Sequence, residues 1–487
     1  MSSKKVSDES APAQEHQIGA ITGLFFTMNL IVGAGLLGLP YAFRMSGWAI
    51  SGIYTIFCCV LGYVWACQLI EVMSRCEALL QLEEQGLAVQ RPSFKELLFG
   101  RNKTKLHDPL IGRDCQPDIT HRRIDMCEMI NVLFGKTWKK IYLSGMILDT
   151  ILSLASYSIV FSSSLASNLE IGFLDTCDIY QSEGFFSDCR KTYWFFLAIF
   201  TGVSVYLTLI EMHEQKVIQN VITGASLFNI LIVLTLSIAS LATNTAIDSD
   251  DSIDPGSYKA ADIYNIGISL PIILFASIYQ TSLPSIIEFV GEKTTSIKKI
   301  LTYALFASLF IYLSMGLIVP AAVSGVYGQY NISFRNYSAG YSQAERPWWT
   351  YVIAYIIVLS PAVGILSLFP LVAIPLAHNL ITYIYGFEKP AGVRLGDYII
   401  KLIVVLLPLL LAFVEYDLGS ILSIAGAITI VLVSIAIPIM YIASREMIDV
   451  PSIYDFKYSP RLVSIFVVVV HIGVLIFKAY YAIFPEE

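Results

Sequence analysis

Charged residues are scarce in this chain, and their scarcity narrows the class of protein. Asp, Glu, Lys and Arg make up 14% of the 487 residues, whereas 56% are hydrophobic. A soluble domain carries about 25% charged residues. The apolar residues here gather in runs of about 20, the length of a membrane-spanning helix. We therefore expect an all-α polytopic membrane protein embedded in a lipid bilayer.

Signatures of enzymes, metal proteins and nucleic-acid-binding proteins are also missing. The six histidines are scattered without metal-ligand spacing, there is no P-loop, and no basic stripe suggests nucleic acid. The run Gly33-x-Gly35-x-x-Gly38 matches the dinucleotide fingerprint, but it lies inside an apolar segment and follows no strand. The sequence thus favours a transporter, a channel or a membrane receptor, without a cofactor, over an enzyme.

Hydropathy, averaged over a window of about 19 residues, predicts eleven membrane spans. They lie at residues 18–43, 47–72, 141–163, 193–210, 217–243, 262–290, 298–323, 350–385, 397–414, 419–443 and 462–484. The span at 350–385 is too long for one straight crossing at about 1.5 Å per residue. We interpret it as one tilted or kinked helix, and its division into two spans is the alternative. Residues 1–17 predict a short disordered cytoplasmic tail without a signal peptide.

Basic residues orient the predicted spans. Lys and Arg concentrate in loop 74–140 and in the short loops after the sixth, eighth and tenth spans, and such loops are cytoplasmic. The N-terminus is therefore predicted to be cytoplasmic and the C-terminus lumenal or extracellular. Loop 74–140 is a candidate site for a cytosolic partner. Its end, Arg122 to Phe134, predicts an amphipathic helix that lies on the membrane surface or packs on the bundle.

The loops predicted to be non-cytoplasmic carry two kinds of modification signal. Cys177 and Cys189 share loop 164–192, where an oxidising compartment favours a disulfide. The sequons at Asn331 and Asn336 lie in loop 324–349 and predict a glycoprotein. The remaining cysteines fall in spans or in cytoplasmic loops, and we expect them to be free thiols.

Two of the predicted spans contain helix-breaking sequences. The first runs through Asn29-Leu-Ile-Val-Gly33-Ala-Gly35-Leu-Leu-Gly38-Leu-Pro40, and the sixth is interrupted by the polar run from Ser277 to Pro284. Unwound backbone at membrane depth is tolerated where it lines a cavity, in which free amides bind carboxylates and free carbonyls bind cations. The glycines also fit a close helix-packing face, and the polar cluster also fits ordinary lining of a packed bundle.

The spacing of the two interruptions predicts an internal repeat. They lie five spans apart, as corresponding positions of a five-plus-five inverted repeat do. The first repeat would comprise residues 18–243 and the second 262–443, with the eleventh span at 462–484 as an addition. Such an arrangement places a binding site between the two interruptions, near the middle of the bilayer.

Asp149 lies within the third predicted span, where an unpaired carboxylate is costly. A residue of this kind is a candidate proton carrier or a partner for a cation. The alternative is a structural carboxylate that bonds to a neighbouring helix or reaches the cytoplasmic water layer.

Several stretches resemble one family of membrane proteins. The run from Asn29 to Phe43 resembles the first-helix signature of the amino acid/auxin permease family. Supporting similarity lies in Phe134-Gly135-Lys136, in the run from Phe275 to Pro284 and in Leu368-Phe369-Pro370-Leu371. The resemblance implies a LeuT-like fold of eleven helices. It also implies secondary active transport of amino acids by alternating access, as an ion-coupled symporter.

The resemblance assigns substrate-binding residues to both interruptions. Backbone groups of the first would bind the carboxylate and the amine of the amino acid, and the second would shape the side-chain pocket. The residues at these positions are Gly33, Ala34, Gly35 and Leu36 in the first interruption and Ser277, Ile278, Tyr279 and Gln280 in the second.

The resemblance leaves the coupling ion open between sodium and a proton. Sodium-coupled members bind the ion through an Asn of the first helix and a Thr of the eighth span. Asn29 fits the first position, whereas Ser367 lies one place away from the usual spacing. A sodium ion held by Asn29 and Ser367 and a proton carried by Asp149 are therefore both candidates.

The sequence leaves a second candidate for the function and a second candidate for the cellular membrane in which the protein lies. A transceptor or scaffold that senses amino acids with little flux, and signals through loop 74–140, is the alternative function. A channel is less favoured because no charge ring or filter-like repeat is present. The resemblance favours a lysosomal or vacuolar membrane, with the plasma membrane as the alternative.

Overall fold

The computed structural model of the protein describes most of the predicted membrane portion. The described residues are 20–84, 119, 124–169, 187–210, 216–247, 258–290, 293–325, 328–342, 345–385, 395–448, 452–455 and 461–483. They form helices and connecting turns, and none of them belongs to a β-strand. The predicted tail at 1–17 and much of loop 74–140 lie outside these ranges.

The described part of the chain is a succession of helices. They are α1 (Ala20–Ile31), α2 (Ala34–Ser46), α3 (Trp48–Glu84), α4 (Met126–Phe134), α5 (Lys136–Asn168), α6 (Asp188–Leu209), α7 (Lys216–Thr243), α8 (Ile266–Ala276), α9 (Leu283–Phe289), α10 (Lys293–Ala322), α11 (Trp348–Tyr385), α12 (Leu395–Val414), α13 (Leu418–Thr429), α14 (Ala436–Met447) and α15 (Arg461–Ile483). A 3-10 turn occupies Tyr330–Phe334, and a π-helical segment, Ile430–Ile435, joins α13 to α14.

Eight helices of the described ranges are long and apolar enough to cross a membrane, with α13 to α14 counted as one. The helices α1 and α2 pass the same test together, as one span bent by 45°. The helices α8 and α15 lie where the sixth and eleventh spans are predicted. A polytopic helical membrane protein is thereby confirmed, whereas the total of eleven spans and the inverted repeat stay predictions.

The helix α11 is continuous over 38 residues, although it contains Pro361, Pro370 and Pro375. Inside a membrane bundle, neighbouring groups can satisfy the carbonyls that a proline leaves free. The prediction of one long span is therefore correct, and its division into two spans is wrong. At about 1.5 Å per residue the helix is about 57 Å long, so it must tilt or extend beyond the hydrocarbon core.

The helix α3 continues three turns beyond its predicted end at residue 72. Its charged C-terminal part made that region resemble a loop, but the charges are paired inside the structure. Glu71 Oε1 lies 3.1 Å from Arg75 Nη2 and 2.7 Å from Arg445 Nε. The helix α4 packs against α3, α5 and α14, so the packed alternative for the amphipathic helix is correct.

The structure corrects one predicted glycosylation site. Asn331 is fully buried, and its amide nitrogen donates to Ser164 Oγ at 3.0 Å and to the carbonyl of Val358 at 3.1 Å. A buried amide nitrogen that makes these two hydrogen bonds cannot carry a glycan. Glycosylation of Asn331 therefore does not fit the structure. Asn336 is exposed, and its glycosylation stays a prediction.

The cysteines fall into two groups. Cys189 lies in the first turn of α6, but Cys177 lies outside the described residues, so their disulfide stays a prediction. Of the cysteines expected to be free thiols, Cys58, Cys59, Cys67, Cys76 and Cys127 are free in the structure, and Cys115 lies outside the described residues.

Candidate substrate-binding site

The first predicted interruption is confirmed between α1 and α2. The helix α1 ends at Ile31, and α2 begins at Ala34 after Gly33, which has an extended backbone and no side-chain cap. The first amides of a helix have no partner inside that helix and carry partial positive charge. The N-terminus of α2 therefore presents free amides in the middle of a membrane span.

The second predicted interruption is confirmed between α8 and α9. The helix α8 ends at Ala276, and α9 begins at Leu283 with Pro284 in its first turn. Proline suits this position because the amide it lacks would have had no helical partner. Ser277 to Ser282 thus form the non-helical connection that the polar run predicts.

The two interruptions touch each other directly. A β-carbon added to Gly35 would lie 2.5 Å from the α-carbon of Ala276, a distance that backbone cannot accommodate. Both interpretations of the glycine run therefore apply, since the chain leaves the helix at Gly33 and Gly35 permits close packing. Between them the glycines bring the start of α2 against the end of α8.

Tyr312 of α10 joins the ends of the two preceding half-helices. Its hydroxyl lies 3.0 Å from the carbonyl oxygen of Ile31 and also within hydrogen-bond reach of the carbonyl oxygen of Ala276. These are the last residues of α1 and α8, where the helix dipole is negative. The phenol is fully buried and has one proton to donate, so it contacts two acceptors that compete for that proton.

A cavity of about 90 Å³ lies between the two interruptions. Six of the residues predicted for substrate or ion binding line it: Gly33, Ala34, Gly35, Ile278, Tyr279 and Asp149. Residues that were not predicted also line it, among them Ser153, Tyr157, Ser282, Asn379 and Thr429. No Lys, Arg or His is among the described residues that line the cavity.

Three of the predicted substrate-binding residues do not line this cavity. Gln280 is fully buried, and its Nε2 donates to the carbonyl of Gly62 at 2.8 Å. Ser277 Oγ donates to the carbonyl of Ile273 at 2.9 Å, and Leu36 lines a separate small cavity. The side chains of Gln280 and Ser277 therefore fix the shape of the second interruption, which corrects their predicted place in the pocket.

The carboxylate of Asp149 is buried in the wall of the cavity. Thr429 Oγ1 donates to Asp149 Oδ1 at 2.6 Å, which links α5 to the last residue of α13. The π-helical segment starts at the next residue, and such irregularities occur frequently at functional sites. The bond to a neighbouring helix matches the structural alternative for Asp149, but its position in the cavity also fits a functional role.

Asn29 and Ser367, predicted as a sodium site, are neighbours in the structure. Asn29 Nδ2 donates to Ser367 Oγ at 3.2 Å, and Ser367 Oγ donates to the carbonyl of Gly364 at 2.8 Å. Both side chains are buried, and neither residue lines the cavity at the interruptions. The pair thus links α1 to α11 beside the candidate site.

The fold and the cavity define a class: a polytopic helical membrane protein with a polar cavity between two interrupted helices. The family described as transmembrane amino acid transporter protein matches residues 16–477. This match covers most of the chain, and the chain belongs to that family.

The chain is similar to proteins named transmembrane protein 104. It is 24% identical to the one from Homo sapiens over 435 residues, which is 83% of each protein. The homolog from Drosophila melanogaster is 22% identical over 408 residues, 76% of each protein, and the one from Caenorhabditis elegans is 21% identical over 369 residues, 73% of this chain and 67% of the relative. The runs Asn29–Gly33, Arg122–Arg123 and Ser282–Ser285 predict the same relationship, which is confirmed.

Proposed function

We propose that the protein is a secondary active transporter of amino acids that works by alternating access around its two interrupted helices. The observation that carries this proposal is the direct contact between the interruptions at Gly35 and Ala276, with a polar cavity at their junction. Discontinuous helices that meet in this way build the substrate sites of many transporters. Family membership supports the same function.

The residues around the cavity provide groups for both charges of an amino acid. The free amides of Ala34 and Gly35 at the start of α2 would bind the carboxylate. The carbonyls of Ile31 and Ala276 lie at the negative ends of α1 and α8 and would attract the amine. Ile278 and Tyr279 would contact the substrate side chain from the second interruption.

Two places in the structure suit a coupling ion. A sodium ion would bind between α1 and α11, where Asn29 and Ser367 meet. A proton would bind the carboxylate of Asp149, which lies in the cavity without an ion pair to any described Lys, Arg or His. Either ion would make the transport a symport with the amino acid.

The packing around the cavity suits a state that is closed on the non-cytoplasmic side. The α11 residues that line the cavity, from Val372 to Asn379, belong to the half of the helix that our topology places toward the cytoplasm. On the opposite side, Arg44 donates to the carbonyls of Pro320 and Ser324 at 2.9 and 3.1 Å.

We propose a lysosomal or vacuolar membrane, with the plasma membrane as the second candidate.

Uptake by proteoliposomes tests the function. Purified protein should accumulate a labelled amino acid inside liposomes when a sodium or a proton gradient is imposed, and dissipating the gradient should abolish accumulation. Absence of uptake for all common amino acids under both gradients would overturn the proposal. If amino acids shift the melting temperature and a cytosolic partner binds loop 74–140 without flux, the protein is instead a sensing transceptor.

A further inference from the structure

The cavity at the interruptions is lined by one carboxylate, that of Asp149, and the described residues of its wall include no positively charged side chain. Asp149 is 8% exposed, and one of its two carboxylate oxygens accepts the hydrogen bond from Thr429. The other oxygen, Oδ2, has no hydrogen bond and no ion pair with a described residue. An ionised carboxylate at membrane depth is costly without a positive partner, and the described residues of the cavity lining include no Lys, Arg or His.

Two more polar groups of the same wall lack partners. The hydroxyl of Tyr279, whose side chain is 5% exposed, makes no hydrogen bond to a described residue. Within the described part of the chain, the buried Asn379 Oδ1 also makes none, and Asn379 Nδ2 bonds to the sulfur of Met146 at 3.9 Å. Buried polar atoms are nearly always hydrogen-bonded in a complete structure. Asp149, Tyr279 and Asn379 therefore each have one oxygen atom at this cavity without a hydrogen-bond partner among the described residues.

We propose that the side chain of the substrate is cationic, and that it binds Asp149 Oδ2, Asn379 Oδ1 and the Tyr279 hydroxyl. The inference rests on the proposed function and names the class of amino acid that this site takes. A guanidinium group carries five N–H donors and an ammonium group carries three, and neither has an acceptor. Both thus match a wall whose described residues offer oxygen acceptors and no cation.

A proton on Asp149 is a weaker account of the same wall. It would neutralise the carboxylate, but it would leave Asn379 Oδ1 and the Tyr279 hydroxyl without partners. A side chain with several donors offers a hydrogen bond to each of the three oxygen atoms.

Arginine and citrulline provide the test, because citrulline is a neutral amino acid with nearly the shape of arginine. Affinities are measured from the shift of the melting temperature of the purified full-length protein at increasing ligand concentration. A charge-assisted hydrogen bond is roughly twice as strong as a neutral one, so the wild type should bind arginine about tenfold more tightly than citrulline. In Asp149→Asn the preference should fall to about threefold or less. Equal binding of the two ligands by the wild type would overturn the inference.

Two further variants show whether a loss of arginine preference comes from the cavity or from misfolding of the protein. Asn379→Leu keeps Asp149 and should weaken arginine binding several-fold more than citrulline binding. Asp397→Asn removes a comparably buried carboxylate of α12 that does not line the cavity, so the arginine preference should remain. If neutral amino acids are bound and transported but arginine and lysine are not, this inference alone fails. If no amino acid is bound or transported, the proposed function fails.

Discussion

The side-chain amide of Asn29 donates a hydrogen bond of 3.2 Å to the hydroxyl oxygen of Ser367. This bond ties α1, just before its interruption, to the middle of α11. A sodium ion binds oxygen ligands and not an amide N–H. The Asn29 side chain would therefore have to turn its amide oxygen toward the ion, which the oxygen of Ser367 would also bind. Sodium binding at this place would therefore require the hydrogen bond between Asn29 and Ser367 to break.

Ser367→Ala tests this pair. Loss of one hydrogen bond between membrane helices costs about 0.6 kcal/mol on average and up to about 1.7 kcal/mol, so the melting temperature should fall slightly. If sodium binds here, it should raise the melting temperature of the wild type and not that of the variant. Ser360→Ala, on the same helix, is the control and should keep the response. A sodium response that survives in Ser367→Ala would remove this site from the coupling mechanism.

Tyr312→Phe tests the link between the two half-helices. The variant removes only the hydroxyl, whose single proton the carbonyls of Ile31 and Ala276 share, so the two half-helix ends lose their one donor. We expect a folded protein with uptake slowed about tenfold, which corresponds to about 1.4 kcal/mol in the barrier. Tyr303→Phe is the control, because that side chain is on the same helix and 59% exposed. Equal uptake by Tyr312→Phe and the wild type would show that the link has no role in transport.

Gly35→Ala tests the contact between the interruptions. The added β-carbon would lie 2.5 Å from the α-carbon of Ala276, so α2 and α8 must separate. Overpacking of this kind costs about 1–3 kcal/mol, and substrate binding should be lost with it. Gly224→Ala has open space around the added carbon and should melt and bind like the wild type. Normal binding by the Gly35 variant would place the substrate site elsewhere.

The interruptions were predictable because local chemistry determines them. Gly33 lowers the cost of leaving the helix, and the polar run that ends at Pro284 breaks an apolar one. The same local information predicted that Asp149 matters, since a carboxylate inside a span is rare. Family resemblance added Tyr279, whose sequence context alone is that of an ordinary aromatic residue in a bundle.

The partners of these residues were not predictable from the sequence. Thr429 lies 280 positions from Asp149, and Tyr312 lies 281 positions from Ile31. Only the packing of the helices brings such pairs together, and neither Thr429 nor Tyr312 is unusual in its own span. Gln280 shows the converse, because unwinding at Ser277 rotates the chain and turns this side chain toward Gly62 instead of the cavity.

The sequons give a test of topology. Asn336 is exposed, so Asn336→Gln should remove a glycan and increase mobility on a gel if loop 324–349 faces the lumen. Asn331→Gln should leave the mobility unchanged, because Asn331 is buried between Ser164 and Val358. Treatment with an N-glycosidase should abolish the difference between the wild type and Asn336→Gln. A mobility change in the Asn331 variant alone would contradict the packing of the 3-10 turn.

Counterflow measures the central claim most directly, because it needs no knowledge of the coupling ion. Liposomes that contain the protein are loaded with an unlabelled amino acid and diluted into a trace of the labelled one, without any imposed ion gradient. A transporter with one site between its interrupted helices should accumulate the label transiently, and Gly35→Ala should not. Label that never exceeds the level of protein-free liposomes, for any of the common amino acids, would contradict the account.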